Sequence, residues 1–224
     1  MGTGLFLQAE EQPWIITDWL FTHVQLFIDA IEQHIQLTVI AVALAVVISL
    51  PLGVAAHRWR AVRNPAYVVF GIFYTIPSIA LFALLIPYTG LSATTAEIGL
   101  VGYAVLIILR NVVVGLDSVP PDVVDAADGM GYRPIARLLR VELPLALPAI
   151  FAGVRIATVT TIGLVTITAV IGLGGLCQLI LQGLVDDFRT PLVVATVLSI
   201  ALAFVADLFL FGVQRLALPW SRGA

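Results

Sequence analysis

Long uncharged stretches divide this chain, and their lengths set the first reading. Residues 36–56 and 66–88 carry no ionisable acid or base other than tyrosine. Each meets the roughly 20 mostly apolar residues that a helix needs to cross a bilayer. A third run, near 97–116, has an uncharged centre from 98 to 109; a fourth lies near 149–171 and a fifth near 191–213. The pattern predicts an all-α, polytopic chain with five spans.

Two segments fit that pattern less well. Residues 14–35, WIITDWLFTHVQLFIDAIEQHI, are apolar but carry Asp18, His23, Asp29 and Glu32. Trp14 and Trp19 suit the aromatic belt of a membrane interface. An interfacial amphipathic helix leading into the first span is expected, with a sixth span as the alternative. Residues 172–188 are too short to cross separately. Gly172, Gly174 and Gly175 predict a break, followed by a short helix at the surface. The expected organisation is an N-terminal segment 1–35, a transmembrane unit 36–214 with a charged loop at about 117–146, and a tail 215–224.

Composition agrees. The chain is 60% hydrophobic and 11% charged, with a mean hydropathy of +1.06. Soluble domains average about 25% charged residues. The N-terminus lacks the basic start of a secretory signal peptide. One cysteine, Cys177, excludes an intrachain disulfide, and its expected role is that of a small apolar residue. His23, His34 and His57 are scattered, so no metal site is expected and each is read as an interfacial polar group. No Ser/His/Asp set or carboxylate pair suggests catalysis, and no nucleic-acid partner is expected.

The basic residues, eleven in number, are all arginine. A phosphate-binding P-loop needs a lysine, so any ATP that this chain's work requires must be hydrolysed elsewhere. Arginine placement also orients the spans. Arg58, Arg60 and Arg63 lie between spans one and two, and Arg133, Arg137 and Arg140 between spans three and four. The loop between spans two and three has none. Arg189 precedes span five, Arg215 and Arg222 lie in the tail, and the first 35 residues hold no arginine. Arginine-rich short loops stay in the cytoplasm. The expected topology places the N-terminus outside and the C-terminus in the cytoplasm.

Charge gathers in DAADGMGYRPIARLLRVELPLALPAI, residues 125–150. Its grammar is helix, turn, helix. Ser118 is expected to cap a first helix whose opening turn holds Pro120, Pro121 and Asp122. Gly131 can take the left-handed conformation that stops it. Pro134 can start a second helix, with Arg133, Arg137 and Arg140 on one face. Pro144 and Pro148 mark the return into the membrane. Taken alone, this is a basic loop that holds topology and touches lipid head groups.

The spacing says more. Asp125-Ala126-Ala127, three residues, Gly131, nine residues, then Val141-Glu142-Leu143-Pro144 resembles the EAA loop of the permease subunits of ABC importers. Asp125 stands where that pattern has Glu, and Val141 where it has Ile. HIQLTVIAVALAVVISLPLGV, TIPSIALFALLIP, LRNVVVGLDSVPPDVVDAADGMG, VELPLALPAIFAGVRIATV and IGLGGLCQLI are similar to osmoprotectant importer permeases, over about residues 34–214. The resemblance implies the type I importer permease fold and a non-catalytic subunit with no cofactor of its own. It also implies partner ATPase subunits that bind ATP and Mg, a second permease subunit, an extracytoplasmic substrate-binding protein, and surrounding lipid. The cargo implied is glycine betaine, choline, carnitine or a similar solute; an amino acid or small amine is the alternative, and an ion-driven transporter or channel the reading from another class. By the same resemblance Asp125, Ala126, Ala127, Gly131, Tyr132 and Arg133 form the ATPase-docking coupling helix and its end.

Ionisable groups inside a membrane are costly and mark candidate sites. Arg110, Arg155 and Asp207 all fall in the inner third of their spans. Asp207 is expected to pair with one of the arginines, either as a static pair or as part of an inner gate. Asn111 adjoins Arg110. Thr75, Pro77 and Ser78 mark a helix break, a plain kink or a polar lining of the path. Thr158, Thr160, Thr161, Thr166 and Thr168 place hydroxyls in span four. Thr161 can face the path, or the set can bond its own helix carbonyls.

Overall fold

The computed structural model describes residues 13–220. The first twelve residues of the N-terminal segment and residues 221–224 of the tail, Arg222 included, lie outside the described residues. Among the described residues there are ten α-helices: α1 Thr17–Thr22, α2 Val24–Arg58, α3 Arg60–Thr75, α4 Ser78–Thr89, α5 Ala93–Asp117, α6 Pro121–Gly129, α7 Pro134–Arg137, α8 Leu143–Thr168, α9 Leu176–Val185 and α10 Arg189–Ala217. A π turn, Leu138–Glu142, joins α7 to α8 without a break.

Among the described residues, four continuous helices are long and apolar enough to span: α2, α5, the run Pro134–Ile171 and α10. The expected second span, 66–88, is instead a broken pair. α3 and α4 meet at 99°, because Ile76 and Pro77 take extended backbone angles and Pro77 has no N–H to continue the ladder. Counting that pair as one crossing gives five. Non-helical backbone within a bilayer must be covered by protein or line a cavity. Here the Tyr103 hydroxyl of α5 donates to the Ile76 carbonyl, and Thr75 Oγ1 donates to the Ile72 carbonyl at 2.8 Å.

Two other expectations are corrected. No break separates residues 24–35 from the first span. α2 runs 35 residues, about 52 Å at the usual rise; of the polar side chains in its first third, Gln33 and His34 pack on protein, while Gln25, Asp29 and Glu32 are exposed. The second helix of the charged loop is likewise not a separate element. It runs through the π turn into α8, with Pro144 in the first turn of α8 and Pro148 inside it.

The core is built on α5. In its most apolar window 67% of residues are buried, against 6% for α10, so α5 is the central helix and α10 a peripheral one. Ala45, Ala104, Val105, Ile108, Val112, Ala146 and Ala157 form the main cluster between α2, α5 and α8. Small residues bring these helices close. A Cβ on Gly53 would lie 2.4 Å from Val112, one on Gly115 2.9 Å from the Ala146 carbonyl, and one on Gly153 2.4 Å from Asn111. Ser49 Oγ donates to the Val105 carbonyl at 3.1 Å.

At the end remote from the arginine loops, the two segments that fit the span pattern poorly pack on each other. Phe27 of α2, Leu176 and Leu179 of α9 and Ala195 of α10 are buried together, with Trp19 and Leu20 against them. The Ile16 N–H donates to Thr190 Oγ1 at 2.9 Å. The break before α9 falls on Gly172 and Gly175, both at positive φ. The Gly175 N–H donates to Gln33 Oε1 at 2.8 Å, and a Cβ there would lie 2.7 Å from the Ala30 carbonyl. His34, read from sequence as interfacial, is fully buried and donates from Nε2 to the Ile162 carbonyl at 3.1 Å. Its ring joins α2 to α8.

Two substitutions test this packing in purified protein. Tyr103→Phe removes one hydrogen bond and should cost about 1 kcal/mol. Gly175→Ala combines backbone strain with overpacking and should cost roughly 1–3 kcal/mol. Thermal unfolding in detergent should therefore show a larger fall in Tm for Gly175→Ala; equal or reversed effects would contradict the packing described.

Candidate functional site

The charged stretch folds as helix, turn and helix. Pro120 and Pro121 occupy the N-cap and first position of α6, and Asp122 lies in its first turn. Ser118 does not cap α6. Its Oγ donates back to the Gly115 carbonyl at 2.7 Å and closes the end of α5. The α6 helix stops as expected. Gly131 has φ +79°, its N–H bonds to the Asp128 carbonyl at 2.9 Å, and the Tyr132 N–H reaches the Ala127 carbonyl at 3.2 Å. This is a glycine-terminated helix end. Arg133 then occupies the N-cap of α7, with Pro134 first in the helix.

The alanine pair divides between two environments. Ala127 is 1% exposed and seats α6 on its own chain. Asp125, Ala126 and Gly131 face outward, as does Arg133, and Tyr132 is half-buried. The helix and the turn that ends it therefore leave a carboxylate, a methyl and a glycine exposed. Nothing lies within 4 Å of where a Gly131 Cβ would stand, so that position has room for another molecule's surface. The expected arginine face is not kept. Arg137 turns inward to Asp128 and to Glu142 (2.6 Å), while Arg133 and Arg140 stay exposed.

Inside the membrane region the pairing resolves to Arg155. Its Nε donates to Asp207 Oδ1 at 2.9 Å and an Nη to Oδ2 at 2.8 Å, the two-pronged geometry that suits a guanidinium and a carboxylate. Phe211 lies beneath, 5.0 Å from the guanidinium carbon. A lone Arg or Asp at a bilayer centre costs roughly 2.5–3.5 kcal/mol by insertion scales, and pairing offsets part of that. Arg110 is not in this pair. It is exposed, and its guanidinium carbon is 5.9 Å from the Tyr67 ring.

The remaining expected path residues do not gather in one place. Thr75 and Pro77 are exposed and Ser78 half-buried at the α3–α4 break. Asn111 bonds the Ile107 carbonyl at 2.8 Å on its own helix and packs on Gly153. Thr158 bonds the Val154 carbonyl, and Thr166 and Thr168 those of Gly163 and Val165. Thr161 is 1% exposed and its hydroxyl has no hydrogen-bond partner among the described residues.

Three groups were missed in the sequence. Glu97 keeps both carboxylate oxygens buried without a hydrogen-bond partner among the described residues; its lone charge at the edge of an apolar run was the available signal. His57 and Glu142 enter an ionic cluster at the arginine end. Cys177 is buried in α9, and burial pushes its thiol up to about 11. It is an inert apolar group, as expected.

Residues 45–216 match the model of the binding-protein-dependent transport system inner membrane component. The chain belongs to this family. Among curated proteins it is 39% identical over 192 residues to the osmoprotectant import permease protein OsmW of Salmonella typhimurium, covering 84% of this chain and 89% of that one. It is 35% identical to the choline transport system permease protein OpuBB of Bacillus subtilis, covering 84% and 86%. To the glycine betaine/carnitine/choline transport system permease protein OpuCD of the same organism it is 34% identical, covering 84% and 82%.

Its fold matches a chain of the inward-facing MetNI methionine ABC transporter with TM-score 0.77 at 24% identity, covering 87% of this chain and 97% of that one. An amino acid ABC transporter chain matches with TM-score 0.71 at 18% identity, covering 90% and 98%. The fold is that of an ABC importer permease. Family membership makes this a non-catalytic, polytopic membrane subunit of an importer that works with an ATPase and a binding protein, and it sets aside an ion-driven transporter or channel.

Charge exchange tests the membrane pair. Asp207→Arg and Arg155→Asp singly should each lower the yield of monodisperse protein on size-exclusion chromatography several-fold. The double variant should recover at least half; no recovery would show that the two groups do not stabilise one another.

Proposed function

We propose that this chain moves a small osmoprotectant of the quaternary amine or betaine type across a prokaryotic plasma membrane. The observation that carries the cargo class is the likeness to three osmoprotectant, choline and glycine betaine permeases over most of the chain. The neighbours that handle methionine and amino acids share under 25% identity and speak to fold alone.

The exposed side of α6 is the docking element for the ATPase. Asp125 and Ala126 face outward on it, and Gly131 ends it in open space. The arginine loops lie on the cytoplasmic side, which places the N-terminus outside and the C-terminus inside. Two permeases enclose the path, each seated on one ATPase, and the binding protein delivers cargo at the outer face. ATP and Mg act on the ATPases. Their closure moves α6, and with it the spans that line the path. Thr75, Pro77, Ser78, Asn111 and Thr161 are candidate path residues, and Arg155–Asp207 a candidate inner gate.

Reconstitution with the partner ATPase and binding protein tests this. Glycine betaine or choline should accumulate only with ATP; uptake without the ATPase, or of amino acids alone, would overturn the reading. Gly131→Asp should leave the complex assembled yet hydrolyse ATP without uptake. A milder loss is expected from Gly131→Asn, which tolerates the positive φ as Asp does but places no charge at the contact. Normal uptake by Gly131→Asp would show that this position is not part of the docking element.

A further inference from the structure

A line of ionic side chains crosses the arginine end of the molecule and joins α2, α3, α5, α6 and the continuous run from α7 into α8. Arg63 of α3 meets Asp117, the last residue of α5, through both terminal nitrogens at 3.0 Å. Asp117 Oδ1 lies 2.6 Å from Nδ1 of His57 in α2. The other ring nitrogen of His57 lies 3.9 Å from Glu142 Oε2. Glu142 Oε1 accepts from Arg137 Nε at 2.6 Å, and Arg137 Nη1 reaches Asp128 of α6.

Burial rises towards the middle of this line. The Glu142 side chain is 8% exposed and Arg137 14%, against 50% for Asp128 and 41% for Asp117. The two central groups therefore have little water to fall back on, and losing either partner leaves a buried charge uncompensated.

The backbone is shaped to make the central pair. Residues five apart in an α-helix point about 140° away from each other. Arg137 and Glu142 are five apart and in contact, because the wider π turn Leu138–Glu142 brings i and i+5 onto one side. One local distortion in an otherwise continuous 38-residue run serves one ion pair. Arg137 then uses Nη1 on Asp128. Among the described residues, that contact is the ion pair that ties α6 to another element. Between α6 and α7 lies only the Met130–Arg133 turn, pivoting on Gly131.

We propose that Arg137 and Glu142 are positioning residues that lock α6 to the start of α8, so that motion of α6 is carried into the membrane instead of being absorbed at Gly131. His57 and Asp117 extend the lock to α2 and α5. This rests on α6 being the ATPase-docking element, and it assigns the transmission, which docking alone does not supply.

The test uses the complete importer (permease, ATPase and binding protein) in proteoliposomes, reading ATP hydrolysed per glycine betaine transported. Glu142→Gln and Asp128→Asn should raise that ratio roughly two- to thirtyfold while the ATPase still co-purifies. Glu142→Asp and Asp128→Glu, which keep the acid, should stay near wild type. A packing role alone would not separate amide from acid variants in this way. Wild-type ratios for the amide variants would overturn the proposal. Should Glu142→Gln fail to accumulate, half-exposed Asp128→Asn decides by the same readout. Gly131→Asp separates the two claims. If it is uncoupled while the amide variants are coupled, the lock alone fails; if it is also coupled, the docking reading fails.

Discussion

Lipid gives one apolar helix no hydrophobic reason to prefer another, so helices in a bilayer associate through close van der Waals contact and internal polar bonds. In this chain that contact is concentrated where α5 touches α2 and α8. Gly53 lies against Val112, Gly115 against Ala146 and Gly153 against Asn111, each without room for a Cβ. Ala45, Ala104 and Ala157 fill the layer between. Everything functional hangs on this three-helix unit. Asp117 closes α5, His57 lies near the end of α2, and Glu142 leads into α8, so the charges of the arginine end sit on the ends of the three most tightly packed helices. α10, largely exposed, is joined to them through α9 and the Arg155–Asp207 pair.

Irregular backbone appears in this fold where side chains can serve it. The α3–α4 break is met by the Tyr103 hydroxyl, and the Gly172–Gly175 break by Gln33. The π turn carries the Arg137–Glu142 pair. The two breaks take their partners from distant parts of the sequence and the π turn takes its pair from its own ends, which explains why a chain so apolar keeps these few polar groups inside.

Much of this was legible in order but not in direction. Pro77 marked the break, yet its 99° angle depends on Tyr103 and on the packing of α5. Asp207 needed a cation at its own depth, but depth along a helix does not say which face a residue occupies, so Arg110 and Arg155 could not be told apart. Gly131 and Pro134 gave the turn by local backbone chemistry alone. Ser118 misled because a hydroxyl between two helices can serve either end, and here it serves α5. The arginine face of α7 was lost to the π turn, an insertion that no helical periodicity reveals. Nothing near His34 or His57 in the sequence reveals their partners, Ile162 and Asp117, which lie 128 and 60 residues away.

The central claim is that the outward side of α6 is the contact to the ATPase, and proximity tests it most directly. The native cysteine is buried and its thiol pushed up to about 11, so a cysteine placed at exposed Ala126 can be labelled alone. In the assembled importer, a short thiol-directed cross-linker on Ala126→Cys should join this chain to the ATPase, and the cross-linked complex should cease to transport. A cysteine at Ser92, at the opposite end, should give no such product. Failure of Ala126→Cys to link to the ATPase in a complex that transports normally would contradict the account.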